Sequence, residues 1–386
     1  MTSYLHLSAL AMILVAFSPG AAPAQSFQLL YTFTCGGDGA VPYATPLVHH
    51  GFLYGTTWQG GTTGLGVVYR IDIKTRQETA LHTFQGGPSD GSHSDAGLVR
   101  DSAGDLYGVT DAGGAYEQGA VFELQPSGQA RWSSLMKVKN GSGPQSTLVR
   151  DAQGNLYGNA YFSGPKENGT IFKVDTAGNI HTLFAFDIND GGGPKYGPMI
   201  LKDGTLYGAT LYGGAYSGVI YKFDLSTGAE TILYNFTESA NSPAGGLAMD
   251  SAGNLYGTTS VELCVPPQCG SVFKLNASGD YTTLHSFTGG ADGWGPLGSV
   301  ILDSQGNLYG TTNNGGYFER GTCQYGCGTV FKIDTTGAFT TLYSFMGGAD
   351  GDGMYSGVAL GADGILYGAS EAGGAFGCGT VFAIQP

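Results

Sequence analysis

The stretch DSQGNLYGTTNNGGYFERGTCQYGCGTVFKIDTTGAFTTLYSFMGGADG, Asp303 to Gly351, shows the pattern that organises the whole chain. With the GSVILD that leads into it, it reads as four strand-like runs: GSVILD, NLYGTT, GTVFKID and FTTLYSF, here called a, b, c and d. Each is rich in β-branched and aromatic residues and bounded by Gly, Asp, Asn or Ser, the composition of short strands. The a-to-b and c-to-d links, DSQGN and DTTGA, are tight because Asp and Asn tolerate the left-handed region and Gly supplies positive φ. The tripeptide Leu-Tyr-Gly recurs seven times, starting at Leu53, Leu106, Leu156, Leu206, Leu255, Leu308 and Leu366, at spacings of 53, 50, 50, 49, 53 and 58 residues. A period near 50 with only β signals predicts propeller blades rather than a helical solenoid.

The two ends of the chain predict closure. The last copy stops after strand c, at GTVFAIQP, while an orphan d run, FQLLYTF, stands at residues 27–33. Seven four-stranded blades result if the N-terminal strand completes blade seven, which removes the exposed edge of an open sheet. The cysteines agree. Cys269, Cys327 and Cys378 each precede strand c in blades five, six and seven, and Cys264 and Cys323 sit just upstream in the b-to-c loops of blades five and six. Cys35 follows the orphan d strand, and in an antiparallel c–d pair the end of d lies beside the start of c. Six cysteines allow 15 connectivities, and repeat geometry favours Cys264–Cys269, Cys323–Cys327 and Cys35–Cys378. A metal site is the other reading of these cysteines, but no His accompanies them at ligand spacing.

An apolar run from Leu5 to Phe17 followed by Ala22-Pro23-Ala24 reads as a secretory signal, residues 1–24, cut near Ala24. Residues 25–386 are then expected to form one seven-bladed domain. The run is too short to span a bilayer, and an even cysteine count fits an oxidising compartment, extracellular or periplasmic. Net charge is −14, with only 12% charged residues. No basic stripe exists to neutralise phosphates, so neither nucleic acid nor an anionic membrane is an expected partner. A monomer is expected.

The unit D-x-x-G-N-L-Y-G-T-T…G-G…G-T-V-F-K…T-L-x-x-F-x-G-G-x-D-G resembles the GloVer tandem repeat of secreted bacterial proteins, over essentially the whole mature chain. The resemblance implies the repeat architecture and secretion, and it brings no catalytic residues. The D-x-x-G-N-L-Y portion alone is also similar to other bacterial propellers, lyases and lactonases among them.

Strand direction puts the long d-to-a and b-to-c loops on one face, where function usually concentrates. Five d-to-a loops carry Asp-Gly, at Asp38, Asp90, Asp190, Asp292 and Asp350. These carboxylates suit Ca²⁺, the one cofactor the residues suggest, or paired acids for sugar chemistry; alternatively each caps its own turn. Aromatics crowd the same rim: Trp58, Tyr116, Phe162, Tyr212, Tyr216, Tyr317, Phe318, Phe376 and, from a d-to-a loop, Trp294. They suit a glycan or a protein partner, or they pack under their own loops. The repeated Tyr of Leu-Tyr-Gly and Phe of Val-Phe read as inter-blade core. No nucleophile elbow, phosphate loop or dinucleotide fingerprint occurs. Departures from the repeat stand at His49-His50, Lys166-Glu167 and Glu319-Arg320. The expected function is a binding module acting through the long-loop face. The alternative is an extracellular hydrolase or lyase acting on polysaccharide at the channel mouth.

Overall fold

The computed structural model describes residues 26–386 except 136, 196, 198, 238–241, 262, 267 and 317–322. The expected signal segment lies outside them. Seven antiparallel sheets follow one another along the chain. Blade one, for example, comprises Leu47–His49, Phe52–Thr56, Val67–Asp72 and Glu78–Thr83 as strands a to d. Strands a touch between blades three and four, five and six, and seven and one, which places them around the central axis.

The repeat motif has a local cause at each letter. Asp303 Oδ1 accepts the backbone N–H groups of Gln305 and Asn307, and its Oδ2 accepts Asn307 Nδ2 and the Tyr309 hydroxyl. One carboxylate thus closes the a-to-b turn and anchors strand b. Asp151 and Asp250 repeat the arrangement with Asn155–Tyr157 and Asn254–Tyr256. The Gly of Leu-Tyr-Gly lies opposite the aromatic of strand c, as in the cross-strand pair Gly310–Phe331. A Cβ at Gly310 would stand 2.5 Å from Phe331 Cζ, so no other residue leaves room for the ring. Tyr107, Tyr157, Tyr309 and Tyr367 of this tripeptide are buried as expected, whereas Tyr54, Tyr207 and Tyr256 are half-buried.

Blades are joined by the Phe that closes each strand d. It packs edge-on against the strand c aromatic of the next blade: Phe84 on Phe122, Phe186 on Tyr221, Phe236 on Phe273 and Phe287 on Phe331, at 5.2–5.8 Å. Leu135 takes the part between blades two and three, in one buried cluster with Phe172. Phe345 on Phe382 and Phe33 on Tyr69 complete the circle across blade seven. Such pairs contribute about 0.5–1.5 kcal/mol each beyond their burial.

Closure is the predicted one. Ser26–Thr32 pairs antiparallel with Thr380–Gln385 as the outer strand of the last blade, within one residue of the expected bounds. All three expected disulfides are present: Cys35–Cys378, Cys264–Cys269 and Cys323–Cys327. Beyond them, the Val41 N–H donates to the Cys378 carbonyl, tying the start of blade one to blade seven.

Candidate functional site

On the long-loop face the two loops of each blade meet through a short set of backbone bonds, one of which recurs in six blades. The N–H of Trp58 donates to the carbonyl of Val41, that of Asp111 to His93, Tyr161 to Gly143, Leu211 to Gly193, Asn313 to Gly295 and Glu371 to Gly353, at 2.8–3.1 Å. In blade five Ser260 pairs with Ser242. This bond holds two side chains per blade at the channel mouth. The first comes five residues after the Leu of Leu-Tyr-Gly: Trp58, Asp111, Tyr161, Leu211, Ser260, Asn313 and Glu371. The second comes two residues before the small residue that approaches the axis: Tyr43, Asp95, Gln145, Lys195, Ala244, Leu297 and Tyr355. The first position differs in all seven blades. The second repeats only its tyrosine.

The small residues let the chain segments converge. A Cβ on Gly298 would lie 2.4 Å from the Gly357 nitrogen, and Gly246 N–H donates to Ser299 Oγ while Gly97 N–H donates to Thr147 Oγ1. Around them opens a cavity of about 490 Å³ bordered by Tyr43, Trp58, Asp95, Asp111, Gln145, Lys195 and Tyr355.

One wall of the cavity is aromatic. Tyr43 meets Tyr355 edge-on at 5.2 Å and Trp58 at 6.2 Å, and His93 lies 4.8 Å from Trp58. The facing arc is polar. Gln145 Nε2 donates to Asp111 Oδ1 at 3.0 Å, and Lys195 Nζ sits 5.3 Å over the Tyr161 ring. Burial pushes the Asp95 carboxyl up to about 8; Asp111 adds to the rise and Lys195 opposes it. Burial also raises Asp111, against the Gln145 bond and the charges of His93 and Lys195. Behind Tyr43, Glu371 is pushed up to about 7 by burial and by Asp352, against the hydrogen bond from the Tyr43 hydroxyl. The cavity therefore holds one carboxyl group, Asp95, that keeps its proton near neutrality, the property of acid–base and proton-linked sites. At the backbone position where most blades use glycine, blade one has Val41 at φ 59° and blade two has His93 at φ 59°. Each costs about 1–3 kcal/mol, strain that tends to gather at functional sites.

Of the residues expected from sequence, Trp58 borders this cavity. Trp294 is half-buried, edge-on to Tyr325 at 6.2 Å. Tyr116 is exposed, Tyr212 lies over the Gly192–Gly193 turn, and Tyr317 lies outside the described residues. Each of the five aspartates is engaged within its own loop. Asp38 accepts the Tyr31 hydroxyl and the Thr34 N–H; Asp90 meets His82 and the Gln85 N–H. Asp292 meets His285 and the Thr288 N–H, and Asp350 accepts the Tyr343 hydroxyl and the Met346 N–H. Asp190 faces Lys166 at 3.4 Å. His49 stacks on His50 and meets Arg100, away from the cavity lining. Glu319 and Arg320 lie outside the described residues.

Asp95, Asp111, Gln145, Lys195, Tyr43, Tyr355 and Glu371 were not singled out by sequence reasoning. Their signal is a pair of aligned columns: one position that differs in every blade and a second that repeats only its tyrosine.

A closed ring of seven four-stranded antiparallel blades around an axial cavity is a seven-bladed β-propeller. The model of the Gloeobacter/Verrucomicrobia repeat matches residues 16–217 and again 178–382, and the chain belongs to that family. Among solved structures it is similar to a streptogramin B lyase, with 14% identity, 93% of this chain and 97% of that one covered, and a TM-score of 0.58. It is similar to an oligogalacturonate lyase from Vibrio parahaemolyticus, with 10% identity, 93% of each chain covered and a TM-score of 0.57. The extracellular domain of a hybrid two-component system from B. thetaiotaomicron matches with 12% identity over 95% of this chain and 41% of that one, at a TM-score of 0.57. These identities establish the fold alone. A search of the curated proteins finds no match.

Proposed function

We propose that the protein is a secreted, monomeric binding module that takes an extracellular glycan at the channel mouth. The observation that carries this reading is the variability of the two mouth positions on an otherwise repeated frame. Residues free of structural duty diverge, and eight of these fourteen border one cavity with an aromatic wall and convergent polar groups, the usual make-up of a ligand site. Aromatic faces suit the apolar faces of sugar rings, while Asp, Gln and Lys supply donors and acceptors for hydroxyls. Export is supported by the leader-like N-terminus and by three disulfides. Among the described residues no helix is long and apolar enough to cross a membrane.

A hydrolase or lyase acting on polysaccharide in the same cavity is the second reading, favoured by the raised Asp95 and Asp111 carboxyls. A panel of oligosaccharides and polysaccharides, read for both binding and turnover, separates the two. Saturable binding lost in Trp58→Ala supports the module; product release lost in Asp95→Asn supports the enzyme. Neither response across the panel would refute both.

A further inference from the structure

The unsatisfied atoms of the cavity share one chemistry. Asp95 Oδ1 and Gln145 Oε1 are both inaccessible to solvent and have no hydrogen-bond partner among the described residues, although both side chains border the cavity. Both are acceptors. Buried acceptors without donors are costly, about 1–3 kcal/mol each, so a fitting ligand brings donors. An ammonium offers three N–H donors and no acceptor.

Charge points the same way. Asp95 and Asp111 border the cavity, with Glu371 and Asp352 coupled to one another behind Tyr43. Lys195, at the cavity border, lies over the Tyr161 ring, and His93 lies against Trp58. The opposite wall presents the rings of Tyr43, Trp58 and Tyr355, whose faces attract cations. A bare metal ion is a poor fit. Among the described residues the only three possible ligands within reach of one another are Cys323, Cys327 and Asp352, and those cysteines are joined to each other. A cavity of about 490 Å³ accommodates a ring-sized molecule.

We infer that the channel-mouth cavity selects an amine-bearing sugar, its ammonium seated between the Asp95 carboxyl and the Tyr43–Trp58–Tyr355 wall. The inference rests on the glycan reading and narrows it to deacetylated amino sugars, against neutral sugars and uronates. It also sets the pH response. Asp95 and Glu371 hold protons in the free protein near neutrality, with Asp111, Asp352, Lys195, His93, Tyr43, Tyr355 and Tyr161 as the other titratable groups around them. Seating an ammonium expels those protons, so affinity rises with pH.

The test is isothermal titration of the full chain with β-1,4-linked tetramers of glucosamine, N-acetylglucosamine and glucose, with the α-1,4-linked galacturonate tetramer, and with spermidine. The glucosamine tetramer is expected to bind at least about tenfold tighter than the acetylated or neutral tetramers, with no measurable binding of galacturonate. Its affinity should rise between pH 5.5 and 7, and its heat should vary with the ionisation enthalpy of the buffer. Asp95→Asn should remove the preference for the amine sugar together with the pH and buffer dependence of its binding. If that variant melts early, the pH series on the unaltered protein carries the test. Equal affinity for neutral and amine sugars, or amine binding indifferent to pH and buffer, overturns the inference and leaves the glycan reading standing. Binding of spermidine with no sugar bound overturns both.

Discussion

Cutting the Cys35–Cys378 bridge should destabilise the ring far more than cutting either of the other two. The bridge joins residues 343 apart in sequence, whereas Cys264–Cys269 and Cys323–Cys327 span 5 and 4. In the chain-entropy description the long loop restrains the unfolded chain by about 6 kcal/mol and each short loop by about 2 kcal/mol. These are upper bounds, because residual unfolded structure reduces both. A chain of this size has an unfolding entropy of roughly 0.75 kcal/mol/K, so the losses correspond to about 8 °C and about 3 °C in melting temperature. Strand pairing and the stacking of Phe27 on Tyr343 at 4.3 Å should keep the ring closed at room temperature without the bridge. Calorimetry of the double variants Cys35→Ser/Cys378→Ser, Cys264→Ser/Cys269→Ser and Cys323→Ser/Cys327→Ser, at matched scan rate, reads the difference. If the first pair melts within a degree or two of the others, the N-terminal strand does not act as a long-range clasp and the entropic argument fails.

Gly310→Ala should cost about 1–3 kcal/mol by driving a methyl into the Phe331 ring, measurable as a lowered denaturant midpoint. Asp303→Ala should cost a similar amount, since Asn307 and Tyr309 lose their shared acceptor. Burial works to raise the Asp303 carboxyl, but the bonds from Asn307, Gln305 and Tyr309 prevail and hold it low. Its contribution is therefore present above the ordinary aspartate range and lost as pH falls through the depressed value, and melting curves of wild type and Asp303→Ala should converge in acid. Glu78 and Glu230 behave oppositely. Burial, and then Asp38 or Asp190, pushes each up to about 7, so the folded state holds protons that the unfolded state releases. Stability should fall as pH rises from about 4.5 to 7, and a Glu78→Gln/Glu230→Gln variant should flatten that decline in a pH series of melting temperatures. Chelator should leave the melting curve unchanged, because the Asp-Gly carboxylates are proposed to cap their own turns; a drop restored by Ca²⁺ would show a metal there.

Fold and closure were legible because their causes are local and repeated. The Gly under each strand c aromatic recurs in all seven blades, the Phe closing strand d in all but blade two, and the Asp of the a-to-b turn at one spacing in four blades, so the period is written in residues that hold the blades. Cys35 could be paired with Cys378 because strand phase alone puts d beside c. The cavity was not legible in the same way. Asp95 and Lys195 come from loops 100 residues apart in sequence, and neither is unusual in its own segment. What the repeats share points to the Asp-Gly loops, four of which are occupied by their own strand d, while Asp190 is paired with Lys166. Trp58 stands out by residue type, whereas the column it belongs to shows only when the seven blades are aligned. The departures that were noticed, such as His49-His50, catch the eye as dipeptides, but aligned blades show their disagreement one residue at a time.

The backbone bond beneath each mouth residue uses only an N–H and a carbonyl, so it is indifferent to the side chain above it. Any residue except proline can occupy the position after strand b without disturbing the loop. The mouth therefore behaves like a row of interchangeable type set in a fixed frame. A single substitution rewrites one character, and the blade that carries it folds as before. New specificities on this scaffold should consequently be reachable in single steps of small stability cost, and recombining whole blades between relatives should transplant recognition sector by sector.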